Sequence, residues 1–274
     1  MEIYINGGIH MRKLGINVGA YKGIDPEDQI AYIKNAGFDG VFTDFYGYET
    51  NAALAEKIAE AGLAYETIHA PFDGINNMWL EGEAGDKMLG RLEDCTVCAS
   101  RLGVPTVIVH LSSGVNAPHV NDIGAARFDA LIEKAGDVGV KLAFENQRKL
   151  ANIAYIFEKY ENTPHVGFCW DNGHEACFTL GKRDYMALFG DRLIALHLHD
   201  NSGEFDQDQH MFPFHANIDF GRVAQKIRNS GYEGTLMLES IMGNNHRYDG
   251  YTPEQFFATA YEAAAKLRTL VDGK

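Results

Sequence analysis

Short runs of β-branched and apolar residues alternate along the chain with longer stretches whose apolar positions return at helical spacing. KLGINVG (13–19) is the first such run, and the helix after it opens at Asp25-Pro26 and ends near Gly37. Aspartate as cap with proline at the first helical position suits that start, because proline lacks the amide hydrogen that would go unbonded there. FDGVFTD (38–44) precedes a helix at 50–61 that Gly62 stops, and LAYETIHA (63–70) precedes a long loop and a helix over 84–102. PTVIVHLSS (105–113) leads to a helix at 121–138, and VKLAFEN (140–146) to one at 150–161. The last three runs are HVGFCWD (165–171), LIALHLHD (193–200) and GTLMLESI (234–241). Helices near 175–189, 217–230 and 253–271 follow them. A-G-[FL], V-G-V and S-G-Y segments read as helix ends turning into the next strand, where glycine relieves the left-handed cap. Eight strand-then-helix units predict an α/β fold, a closed parallel (β/α)8 TIM barrel. No linker-like, low-complexity or charge-block segment divides residues 1–274, so one domain is expected.

The composition fits this picture, since 46% hydrophobic and 23% charged residues are those of a globular protein with a sizeable core. No run reaches the roughly 18 to 20 apolar residues of a membrane span, and the first 20 residues lack a signal peptide's basic start and apolar stretch. A cytoplasmic location is the default expectation. Cys95, Cys98, Cys169 and Cys177 make no disulfide framework in a chain this long. Cys95 and Cys98 form a C-x-x-C, but they share helical spacing with Leu92 and Leu102, which favours buried positions on a helix face. The net charge of −14 with scattered basic residues disfavours nucleic acid or an anionic membrane as partner, since phosphates require a basic footprint.

Barrel strands should be apolar, yet one after another ends in a residue able to ligate metal. The third ends in His69, the fourth in His110, the fifth in Glu145, the sixth in Asp171, the seventh in His197 and His199, the eighth in Glu239. All C-terminal strand ends face one mouth, so these residues should converge in space. Any single one is more often hydrogen-bonded structure or solvent-facing. As a set, Glu145, Asp171 and Glu239 would crowd three negative charges together, and buried carboxylates are costly unless neutralised. A divalent cation is the simplest compensation, with the imidazoles completing a mixed nitrogen and oxygen shell. His174, three residues after Asp171, can return to the same mouth. Asp208 and His210 follow in the loop after the seventh strand, although a D-x-H in a polar loop is commonly solvated. His10, His119, His165, His215 and His246 read as surface or structural.

I-H-A-P-F (68–72), F-E-N (144–146), W-D-N-G-H (170–174), H-L-H-D-N (197–201), D-Q-H (208–210) and L-E-S (238–240) together resemble the xylose-isomerase-like barrel superfamily. That group joins sugar isomerases and epimerases with the endonuclease IV type of DNA-repair enzyme. The resemblance to its ketose 3-epimerases and inosose-type isomerases implies a shell of Glu145, Asp171, His197 and Glu239, with His199 as the fallback ligand. It implies one divalent ion (Mn, Mg, Co or Zn) and an enediolate formed from a sugar or related hydroxy-carbonyl compound. Glu145 and Glu239 would act as base and acid. His174 would bind a substrate hydroxyl, and Phe72, Trp79 and Trp170 would either wall a sugar ring or simply pack. A homodimer is the family-level expectation.

The endonuclease IV resemblance implies further zinc ligands, and those positions read here as His69, His110, His174, Asp208 and His210 beside the first four. A multinuclear zinc site cleaving abasic DNA is therefore an alternative, and a non-catalytic ligand-binding barrel or subunit is another. The repair enzymes read H-L-N-D-S-K after the seventh strand, whereas here the loop lacks lysine and carries Asp200, Glu204, Asp206 and Asp208. Ketose 3-epimerases carry a second glutamate six residues after the first, where this chain has Ala151.

Overall fold

The strands follow one another around the sheet in chain order. The computed structural model describes residues 11–243 and 246–273, so His10 lies outside the described residues. The strands are β1 (Leu14–Asn17), β2 (Gly40–Asp44), β3 (Ala64–His69), β4 (Thr106–Val109), β5 (Lys141–Glu145), β6 (Val166–Asp171), β7 (Leu193–His197) and β8 (Leu236–Leu238). Neighbours pair in parallel from β1 to β7, and β8 pairs with β1. Between β7 and β8, Leu198 N donates to Met237 O at 2.9 Å and Glu239 N to Leu198 O at 3.1 Å. These two bonds bring the sheet nearly full circle, as the eight-unit pattern predicts for a single-domain (β/α)8 barrel.

The helices are α1 (Pro26–Ala36), α2 (Tyr48–Glu60), α3 (Glu83–Leu102), α4 (Asp122–Val138), α5 (Leu150–Lys159), α6 (Asn172–Thr179), α7 (Tyr185–Phe189), α8 (Phe220–Ser230) and α9 (Pro253–Asp272). A 3-10 turn at Ile75–Trp79 occupies part of the predicted long loop. Asp25 stands at the cap position of α1, but its side chain makes no capping bond. The helix expected near 175–189 is two pieces, because Leu180 and Gly181 take left-handed backbones (φ 54° and 63°) that end α6. Its first piece begins directly on Asp171, whose side chain accepts from His174 N at 2.6 Å and caps the helix.

Two apolar packings result. One lies between sheet and helices and includes Trp79, Phe128, Phe144 and Phe256; Cys95 and Cys98 are buried in it on α3, as their spacing predicts. The other is a small separate cluster of Ile108, Ala143, Cys169 and Ala195. Each lies two residues before His110, Glu145, Asp171 or His197. Side chains two apart on a strand share a face, so the small apolar cluster is the barrel lumen and the polar residues form the layer above it.

Candidate metal and substrate site

All ten predicted site residues come together at the C-terminal mouth. Glu145, Asp171 and His197 are the last residues of β5, β6 and β7, and His69 is the last of β3. His110 and Glu239 follow β4 and β8 directly, and His199 continues the inward alternation past β7. Asn146 fixes the β5 and β6 ends relative to each other: its side chain donates to Asp171 O at 2.8 Å and accepts from Asp171 N at 2.9 Å. Asn172 does the same across the next gap, donating to His199 O and accepting from His199 N.

Glu145 is the hub. Its Oε2 stands 3.2 Å from His197 Nδ1, 3.3 Å from His110 Nε2 and 3.5 Å from His69 Nε2, and its Oε1 2.8 Å from His174 Nδ1. Glu239 Oε2 approaches the same His197 Nδ1 at 3.3 Å. One ligand atom each from Glu145, Asp171, His197 and Glu239 can be chosen so that all four lie within 4.8 Å of one another. Donors held about 2.1 Å from one ion stand at most about 4.2 Å apart, so only a small contraction is required. His69 joins Glu145 and His197 in an overlapping group, and His174, His199, Asp208 and His210 form another.

Buried polar atoms in this mouth lack hydrogen-bond partners: Glu145 Oε2, Glu239 Oε2, Asp208 Oδ1, both His197 nitrogens, and Nδ1 of His110 and His199. Several sit close enough to pair electrostatically but not in hydrogen-bonding geometry, which is the arrangement of donors aimed at a shared point. Buried polar groups are otherwise nearly always satisfied. The donor set of one imidazole and three carboxylates fits a hard or borderline divalent cation.

The titration behaviour reflects the same crowding. Burial opposes ionisation of Glu145, yet the imidazoles of His110 and His197 hold its carboxyl well below the usual range. Glu239 is likewise lowered against its burial, chiefly by His197. Burial works against charged His197 and His174, but nearby carboxylates outweigh it and raise both. His210 is pushed up to about 9, Asp208 outweighing burial, whereas burial prevails at His110 and lowers it. Acids held ionised beside imidazoles held protonated form a charge-paired cluster that could exchange its protons for a cation.

The mouth opens into a cavity of about 340 Å³. Phe72, 46% exposed, forms part of its wall and stacks on His110. Trp79 and Trp170 do not line it: both are buried, Trp79 donating to Leu111 O and Trp170 to Glu175 Oε2. Their part is packing. Gln147 was not foreseen, and its amide nitrogen lies within 3.3 Å of Glu145 Oε1, His110 Nε2 and His174 Nδ1. Arg148, on Phe178 and ion-paired to Asp206, also lines the cavity. His119 and His246 are exposed; His165 bonds Ile132 O and His215 bonds Tyr248, all away from the mouth. A separate cavity of about 310 Å³ outside the barrel contains Glu175, Asp184 and Lys226, whose charges pair with one another.

Residues 30–264 match the xylose isomerase-like TIM barrel family. The chain belongs to that family. An uncharacterized protein of Sinorhizobium fredii is 26% identical over 78% of this chain and 77% of its own length. Among solved structures, a 3-keto-D-glucoside 4-epimerase of E. coli superposes with a TM-score of 0.73 at 19% identity, over 94% of this chain and 99% of that one. A xylose isomerase-like barrel/4-hydroxyphenylpyruvate dioxygenase fusion protein gives 0.75 at 18% identity, over 96% of this chain but 43% of the fusion. Likeness at these identities extends to the fold. Among the described residues no helix is long and apolar enough to cross a membrane.

Proposed function

We propose that this family member is a divalent-metal-dependent isomerase or epimerase acting on a sugar or related hydroxy-carbonyl compound. The observation that carries the reading is the pair of carboxylates, Glu145 buried and Glu239 partly exposed, that both approach the same imidazole nitrogen of His197 at the β7 strand end. Glu145, Asp171, His197 and Glu239 would hold Mn²⁺, Mg²⁺, Co²⁺ or Zn²⁺, which when bound supplies Lewis-acid polarisation of a carbonyl and its neighbouring hydroxyl. Glu145 and Glu239 flank the reacting carbon, one removing a proton and the other returning one. The carboxylate that takes the proton ends each turnover protonated and the one that returns a proton ends it ionised, so exchange with solvent resets the pair. Gln147 and His174 supply polar contacts for substrate hydroxyls, and Phe72 an apolar wall. The E. coli neighbour, a 3-keto-D-glucoside 4-epimerase, supports a sugar substrate class.

Glu239→Gln tests the assignment. The expected result is a loss of about 10²- to 10⁴-fold in turnover on the responsive ketose, with circular dichroism unchanged. Full activity in that variant would remove Glu239 from proton transfer.

Phosphodiester cleavage at abasic DNA is the second reading, favoured by the convergence of His69, His110, His174, Asp208 and His210 on the same mouth. The acidic loop that carries Glu204, Asp206 and Asp208 beside that mouth weighs against a DNA backbone. Nicking of an abasic oligonucleotide would decide for it.

A further inference from the structure

We propose that Tyr185 is a positioning residue for Glu145, acting through Gln147, and that the break between α6 and α7 is what places it. The inference rests on the reading of Glu145 as a metal ligand and proton-transfer group, and extends it to a residue outside the mouth. Residues 146–149 join β5 to α5 without regular structure, yet they carry two side chains, Gln147 and Arg148, that line the cavity. Gln147 is 6% exposed, and its amide nitrogen lies 3.1 Å from His174 Nδ1, 3.2 Å from His110 Nε2 and 3.3 Å from Glu145 Oε1. An amide nitrogen has two hydrogens to offer these three neighbours. A small displacement of the backbone therefore changes which of them is bonded. The contact to Glu145 is the longest of the three and the first to be lost.

What restrains that backbone comes from the chain after the helix break. Leu180 and Gly181 end α6 in left-handed backbones, and two donors from the next four residues reach the connection between β5 and α5. Arg183 donates to Arg148 O at 2.8 Å, and Tyr185 OH donates to Gln147 O at 2.8 Å. Two consecutive carbonyls of an irregular segment are thus held from one short stretch of chain.

Tyr185 is itself fixed at its other end. It is fully buried, and its backbone N donates to Glu175 Oε2 at 2.9 Å. The same oxygen accepts from Trp170 Nε1 at 3.1 Å, while Lys226 Nζ donates to Glu175 Oε1 at 2.6 Å. Lys226 also pairs with Asp184 Oδ1 at 3.0 Å, and Asp184 caps α7 by accepting from Ala187 N. A buried phenol needs some acceptor, and any near carbonyl would serve for packing alone. Reach separates the two roles. Hydrogen bonds to a ligating carboxylate set its orientation, so a positioning hydroxyl is felt at Gln147 and Glu145, whereas a packing one is felt in stability only.

The test uses the full chain and Tyr185→Phe, which keeps the ring and removes one hydroxyl. The first readout is the Gln147 side-chain amide signal in heteronuclear NMR of the metal-free protein, assigned by its absence from Gln147→Leu. In Tyr185→Phe that signal should shift and exchange with water faster, by about tenfold or more. The second readout is Mn²⁺ affinity by electron paramagnetic resonance. It should fall about three- to tenfold in Tyr185→Phe and about ten- to hundredfold in Gln147→Leu, with the double variant no weaker than Gln147→Leu alone. Arg183→Met, at an exposed position, should move the amide signal in the same sense and takes the place of Tyr185→Phe if that variant does not fold. An unmoved Gln147 signal overturns the proposal whether or not metal binds. So do equal Mn²⁺ affinities of the unaltered chain and Tyr185→Phe, or losses that add in the double variant. If the unaltered chain binds no Mn²⁺, the metal reading of Glu145 fails, and the amide signal alone decides whether Tyr185 holds Gln147.

Discussion

Inside the barrel, one strand step separates two layers of opposite character. Ile108, Ala143, Cys169 and Ala195 form a small apolar layer, and His110, Glu145, Asp171 and His197 stand two residues further along the same strands. The lower layer closes on itself by packing. The upper one leaves carboxylate oxygens and imidazole nitrogens buried without partners. Apolar burial contributes to folding, whereas unpaired buried charge costs it, so the upper layer is the one expected to be offset by a bound ligand. The same fold keeps both because the strands below supply the rigidity that the mouth needs.

Removing packing outside the barrel lumen should produce the largest loss of stability. Trp79 is buried against Phe128, and a Cβ on Gly124 would stand 2.0 Å from its ring. Trp79→Ala should cost about 3–5 kcal/mol in urea unfolding while metal stoichiometry is kept. A variant that lost metal but not stability would break the division between scaffold and site.

Metal removal comes next. At an ion concentration about 100 times its Kd, binding to the native state alone should add about 2.7 kcal/mol, read as a fall in Tm on chelation. An unchanged Tm would mean that the upper layer is satisfied without a cation. The smallest effect is expected from Ala143→Leu, which overfills the lumen beneath Glu145 and should cost about 1–3 kcal/mol. Because Glu145 is the next inward residue on β5, the same variant should weaken metal binding, whereas a stability loss with metal affinity intact would show the two layers to be uncoupled.

Most of this architecture is legible in the sequence because strand runs end in glycine turns and because polar residues interrupt runs that should be apolar. The break after Thr179 carries only one signal, the stop residue Gly181, since Leu180 gives none for the left-handed conformation it adopts. Nor are the roles of Asn146 and Asn172 legible. An asparagine beyond a strand end is ordinarily a turn residue, and only the register of β5 against β6 and β7 shows that it spans a gap. Trp170 neighbours inward-facing Asp171 on β6 and so faces the helices by plain strand alternation, whereas Trp79 lies in the 3-10 turn at Ile75–Trp79, where no strand parity could place it.

The central claim is that Glu145, Asp171, His197 and Glu239 hold a divalent ion, and a manganese titration followed by electron paramagnetic resonance tests it most directly. The metal-free protein should take up one Mn²⁺ per chain at this group, and Glu239→Ala, which removes a partly exposed ligand, should weaken that uptake by at least about tenfold. Equal Mn²⁺ binding by both proteins, or none by either, would contradict the account.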